Sequence, residues 1–245
     1  MSRFRISTDE RSNAKLAKSR GYGYLVAGLS LASGNLSGHQ VCAASAAAKC
    51  IAPCLVHTGQ AAIHKSVNRY RIIKTQRLFN DRESFLADLR WDLKALIRAA
   101  GRVNLKPAYR PNVLSDLNWC EIVQEFPEIQ FYDYFKDQSY MKEKFALSNY
   151  DLTYSLSAAL CSPDRWIKAL ERFPRCSAVF SPEVYDGWFK DDPSKVIQFN
   201  GVKIVSGDRH DLTFLNPPGV ILALRAKGHR AIRANPFVYG SEVIA

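Results

Sequence analysis

The sequence predicts an α/β fold, a partial or irregular (β/α) barrel with a mostly parallel sheet. Three observations carry that prediction. Short apolar runs of strand length alternate along the chain with amphipathic helical stretches. The last such run, "GVILALRAKG" at 219–228, is flanked by glycines and apolar enough to be interior. Several runs end in polar side chains, as strands do where their carboxyl ends build a functional face.

The elements follow in order. "GYLVAGLSLA" at 23–32 reads as the first strand, and a cysteine-containing loop succeeds it. From Gly59 to about Lys74 the chain reads as helix. A second helix starts after Asn80, which can cap it with Glu83 three positions on, and it lines up Phe85, Leu86, Leu89, Leu93, Leu96 and Ile97 before Gly101 ends it. "PAYRPNVLSD" at 107–116 reads as a second strand, although Pro111 cannot donate to a ladder. A short helix is expected at 117–125. Three further strands, "IQFYDYF" at 129–135, "YDLTYSLS" at 150–157 and "CSAVFS" at 176–181, are separated by charged or helical segments such as "SPDRWIKALERF". "VIQFNGVKIV" at 196–205 carries Asn-Gly at its centre and reads as a local hairpin. No repeat or linker interrupts the pattern, which predicts one α/β domain over 23–245 behind a basic tail over 1–22.

Composition sets the outer bounds. The 245 residues are 47% hydrophobic, enough for a sizeable core. No apolar run approaches the ~20 residues of a membrane span. The basic start of the chain lacks the apolar stretch of a secretory signal, so a reducing cytoplasm and no membrane partner are expected. In that setting clustered cysteines point to metal or redox chemistry before disulfides. The net charge of +11 suggests a polyanionic partner. Lys65, Arg69, Arg71, Lys74 and Arg77 crowd one stretch, with Arg82 beyond them, and are candidates for nucleic-acid phosphates; a solvated helix face is the plainer reading.

Cys42, Cys50 and Cys54 are the candidate metal ligands, in a C-x7-C-x3-C arrangement directly after the first strand. Soft thiolates suit an iron–sulfur cluster or zinc, and a loop of small residues lets the backbone wrap closely. Three ligands leave one position open. On a [4Fe–4S] cluster that position can hold S-adenosylmethionine, whereas a structural zinc needs a fourth ligand, for which His57 and His39 are nearest. Small buried thiols in an alanine-rich segment remain the plain alternative. Cys120, Cys161 and Cys176 are dispersed and read as core residues. At the strand ends, Asp116, Asp133 and Lys136 are candidate catalytic groups, and Ser155, Ser157 and Arg225 candidate cofactor-binding groups, with Asp208 and Lys227 beside them. Helix capping and turn formation are the simpler roles for Asp116 and Asp208.

The segments "LSLASGNLSGHQVC", "CIAPCL", "RIIKTQRLFNDRESFLADL", "LSDLNW", "FYDYFK", "LTYSLS" and "DLTFLNPPGVILALRAKG" together resemble the phage gene-product-88 domain family over about 24–228. That resemblance implies a phage or prophage setting and little chemistry. More distantly, a strand followed by a three-cysteine loop and alternating helices and strands is similar to the partial barrel of radical S-adenosylmethionine enzymes. Their usual C-x3-C-x2-C spacing is shorter, and no Gly-Gly pair occurs in this chain.

Three functions follow from these readings. The first is a phage-encoded iron–sulfur enzyme of the radical S-adenosylmethionine kind acting on nucleic acid or a nucleotide-like anion. The second is a non-catalytic nucleic-acid-binding protein of phage replication with a structural metal site, in which Tyr70 and Tyr109 stack on bases. The third, a metal-independent phosphoesterase using the Asp and His210 of "GDRHDL" at 207–212, has no recognised nucleophile behind it.

Overall fold

The computed structural model of the chain describes residues 8–9, 18–54, 64–139, 145–228 and 235–243. Nine strands form one mixed sheet: β1 (Thr8–Asp9), β2 (Tyr24–Gly28), β3 (Lys106–Arg110), β4 (Gln130–Phe135), β5 (Tyr150–Ser155), β6 (Arg175–Phe180), β7 (Val196–Phe199), β8 (Val202–Ser206) and β9 (Val220–Arg225). The spatial order is β1-β2-β3-β4-β5-β6-β9-β8-β7. Strands β2 to β6 and then β9 lie side by side in chain order and all run parallel. Strand β8 extends the parallel set, and antiparallel β1 and β7 form the two edges, so the sheet stays open. Six successive parallel strands in chain order put their carboxyl ends on one side, which is the layout of a partial (β/α) barrel.

Among the described residues five helices connect them: α1 (Lys65–Asn80), α2 (Arg82–Arg102), α3 (Cys120–Glu125), α4 (Trp166–Arg172) and α5 (Pro182–Phe189). On α2, Phe85, Leu86, Leu89, Leu93 and Leu96 recur at helical spacing and are buried against Leu25, Ala27, Tyr109 and Phe131 of the sheet. This main core continues through Trp166, Phe180 and Tyr239, whose rings meet edge to face or tilted. The alternate side chains Val26, Ala108 and Tyr132 point to the other sheet face, where Leu212 and Phe214 cover them. The segment after β8 therefore lies across that second face.

The boundaries have local causes. Asn80 is the last residue of α1, and Asp81 caps α2 instead, its carboxylate accepting from the Ser84 amide at 3.2 Å. The expected helix start at Gly59 lies outside the described residues; the described helix begins at Lys65 and runs past Lys74 to Asn80. Strand β3 stops at Arg110, before Pro111. The helix expected from 117 begins at Cys120, because the Asn112 side chain holds the preceding turn: its Oδ1 accepts from Ser115 Oγ, the Leu117 amide and Trp119 Nε1. The β7–β8 hairpin turns at Asn200 and Gly201 with φ of 47° and 76°, the left-handed pair that Asn-Gly favours. Of the basic tail, Thr8–Asp9 adds the edge strand β1 and Lys18–Tyr22 forms a 3-10 turn; its other residues lie outside the described ones. No helix among the described residues is long and apolar enough to cross a membrane.

Candidate functional site

The loop after β2 is fastened to the carboxyl ends of its neighbours. The Asp116 amide donates to the Val41 carbonyl at 2.8 Å, the Cys42 thiol to the Leu114 carbonyl at 3.4 Å, and the Ser157 hydroxyl to the Ala48 carbonyl at 2.7 Å. Lys49, at φ 56°, turns the backbone through the left-handed region, and the Cys50 amide comes back onto the Ser45 carbonyl. The loop therefore sits over β3 and β5 in a fixed pose.

Beneath it lies a cavity of about 230 Å³. Cys42, Cys50 and Cys54 line it together with Asp116, Lys136, Ser155 and Arg225, so seven of the sequence-derived candidates share one space. Asp208 and Lys227 join them, and Arg110, Asn112, Tyr134 and Ser45 line it as well. Every one of these side chains comes from the cysteine loop or from a carboxyl end of a parallel strand.

Three of the cavity's cations are paired with carboxylates. Arg225 forms a two-point contact with Asp186 at 2.8 Å, and Lys227 lies 3.7 Å from Asp208. Arg110, half-buried, grips both Asp211 oxygens at 3.2 Å while lying over the Tyr134 ring. Burial is the largest influence and works against the Arg110 charge, but Asp211, Tyr134, Tyr132 and Asp133 together outweigh it and hold the guanidinium above its ordinary range. Lys136 makes no ion pair among the described residues. Its ammonium donates to Ser155 Oγ at 2.9 Å and rests 5.0 Å from the Phe237 ring, and its field acts on Cys50. Asp116 Oδ2 accepts the amides of Lys136 and Asp137, both at 2.7 Å, which fixes the chain where Lys136 enters the cavity.

The thiols are desolvated. Burial is the largest influence on Cys42, pushing it up to about 11, and it raises Cys50 as well; Cys54 feeds back on both through its charge. Cys50 packs with Val179, Ala226, Phe237 and Val238 in a small apolar cluster. Thiols held this way stay protonated at neutral pH unless a Lewis acid replaces the proton. Ser45, 3% exposed, has a hydroxyl without a hydrogen-bond partner at the same wall. Three soft donors from one loop thus line one cavity, the donor type that an iron–sulfur cluster takes. Among the described residues no three His, Cys, Asp or Glu side chains are grouped as a single metal ion requires. Of the two histidines nearest in sequence, His39 stacks flat on Phe79 at 4.4 Å and does not line the cavity; His57 lies outside the described residues.

Other sequence-derived candidates are placed elsewhere. Asp133 is fully buried and does not line the cavity; its carboxylate accepts from the Asn112 amide and side chain, both at 2.9 Å, and from Tyr150 at 2.6 Å. That makes it the acceptor that organises the turn after β3. Ser157 donates its hydroxyl to the loop backbone and so tethers the loop. The basic stretch breaks up on folding. Lys65 and Arg69 are exposed, Arg71 turns toward Cys54, Lys74 is 1% exposed, and Arg77 pairs with Asp88 at 2.7 Å. Helical rotation divides these five cations among several faces, and only Lys65 and Arg69 are exposed. Tyr109 is buried in the core and offers no ring to a base. In "GDRHDL", His210 is buried edge-on against Tyr22 and Asp211 serves Arg110 and Tyr132, while Asp208 lines the cavity.

The family model described as Gene product 88 matches residues 6–239. No match was found among curated proteins or among solved structures. A match over nearly the whole chain settles its kinship: the protein belongs to the Gene product 88 family of phage proteins.

Proposed function

We propose that the cysteine-rimmed cavity is the active site of a phage iron–sulfur enzyme of the radical S-adenosylmethionine kind, acting on a nucleic acid or a nucleotide-like anion. The observation that carries this reading is the meeting of three thiols with Asp116, Lys136, Ser155 and Arg225 in one cavity at the carboxyl ends of parallel strands. When bound, a [4Fe–4S] cluster supplies one electron to S-adenosylmethionine at its open iron.

Cys42, Cys50 and Cys54 would hold the cluster, with Cys42 and Cys50 exchanging their present carbonyl contacts for iron. Lys136 contributes a positive charge that makes no ion pair among the described residues, so it attracts an anionic group to the wall it shares with Ser155. Asp116 positions that lysine through its backbone. Arg225, tied to Asp186, and the apolar Phe237 and Val238 close the far side and exclude water.

The test is product formation. Anaerobically reconstituted protein, reduced with dithionite and given S-adenosylmethionine, is expected to form 5′-deoxyadenosine, with formation lost in Cys50→Ala and kept in Cys161→Ala. A wild type that forms none although it carries a full cluster would overturn the assignment of the cofactor.

A further inference from the structure

A second cavity, of about 280 Å³, adjoins the first. The two share Ala44, Lys136 and Ser155, so the Lys136 to Ser155 hydrogen bond forms part of the wall between them. Its opposite side is built by α4 and the turn before it. Arg165, Lys168 and Arg172 stand at i, i+3 and i+7, and that spacing directs all three to one face. With Lys136 they make four cations around one space, and among the described residues no carboxylate lines it.

The charges on this wall are uncompensated. Arg165, Lys168 and Arg172 are exposed and make no ion pair among the described residues; the neighbouring acids Asp164 and Glu171 do not line the cavity. Arg172 lies 5.3 Å from the Phe173 ring, which restrains its stem, and Phe173 stacks on Tyr154 at 4.3 Å to form the apolar floor. Elsewhere on the protein the arginines near the site are neutralised by Asp186, Asp211 or Asp151. Four cations held around one concavity without an acid repel one another, and an anion of high charge density relieves that repulsion. Phosphoryl groups match best, since arginine forks bind their oxygens in pairs.

We propose that this second cavity is a phosphate subsite, which holds the phosphoryl groups of the substrate while its reacting part lies in the cysteine cavity on the other side of Lys136. The inference rests on the reading of that cavity as an active site, and it names the substrate class as a phosphorylated nucleotide or the backbone of a nucleic-acid chain. The signal was present in the sequence as the cation spacing of "DRWIKALERF", but only the fold sets it beside Lys136.

The experiment is titration calorimetry on the full chain with inorganic pyrophosphate, ADP and a short single-stranded oligonucleotide as probes. Pyrophosphate is expected to bind, and a variant carrying Arg165→Gln, Lys168→Gln and Arg172→Gln to bind it at least roughly tenfold more weakly, as loss of charge-assisted hydrogen bonds requires. The three residues are exposed, so the variant is expected to fold. A paired Lys65→Gln, Arg69→Gln control is expected to bind as wild type. ADP binding tighter than the oligonucleotide assigns the site to a free nucleotide, and the reverse order to a nucleic-acid chain. Absence of pyrophosphate binding by the wild type, or equal binding by the triple variant, overturns the proposal. Iron content measured on the same samples reports separately on the cluster, so the failure of one reading is distinguishable from that of the other.

Discussion

Replacing Asp211 with alanine is expected to lower the free energy of unfolding by about 3–5 kcal/mol, the usual cost of stranding a buried charge. Asp211 is 2% exposed and accepts from Arg110 through both oxygens and from Tyr132 at 3.1 Å. Removing it leaves a guanidinium whose side chain is 12% exposed, together with a buried phenol, without their acceptor. Deleting both charges is expected to cost less, since an apolar pair of similar volume strands no charge and leaves only the Tyr132 phenol without this acceptor. Urea unfolding of Asp211→Ala and of the double variant Arg110→Met, Asp211→Leu measures both. A single-variant loss below about 1 kcal/mol would contradict the account of this segment as a structural cover of the sheet.

The second large effect is a pH dependence. Lys74 is buried on α1, and desolvation, aided by Arg71 and opposed by Asp92, brings its amine down to about 7 from the ordinary 10.5. Between those two values the unfolded chain binds a proton at this position that the folded chain does not. Stability contributed by this group therefore rises with pH from about 7 to about 10.5, by up to about 1.4 kcal/mol per pH unit, and is flat below that window. Lys74→Met is expected to remove this rise. Unfolding free energies of both proteins across the window give the difference, and parallel curves would place the amine in water.

The same residue shows why a basic stretch misleads in one dimension. Lys65, Arg69, Arg71, Lys74 and Arg77 are evenly cationic in sequence, but a helix gives them different azimuths, and the positions near 74 and 78 are those that α1 buries. The parallel sheet was legible because each strand ends in recognisable punctuation: Pro111, the Asn-Gly of the hairpin, and the glycine before β9. The helix start at Cys120 was not, because it depends on Asn112 folding back through three hydrogen bonds that no local pattern announces. The cavity was partly legible. Residues just past a parallel strand converge by topology, which brought Asp116, Lys136, Ser155 and Arg225 together. Asp133 differs because it lies within β4, on the face turned to the core. Strand alternation alone decides between those two fates, and a register of one residue separates Asp133 from Tyr134, which does line the cavity.

The central claim is that Cys42, Cys50 and Cys54 hold one iron–sulfur cluster. Its most direct test is metal analysis and visible absorption of protein purified without oxygen. About four irons per chain are expected, with a broad visible absorption that dithionite bleaches and that any one of Cys42→Ala, Cys50→Ala or Cys54→Ala abolishes. Zinc in place of iron, no metal after reconstitution with iron and sulfide, or a cluster that survives loss of all three thiols would contradict it.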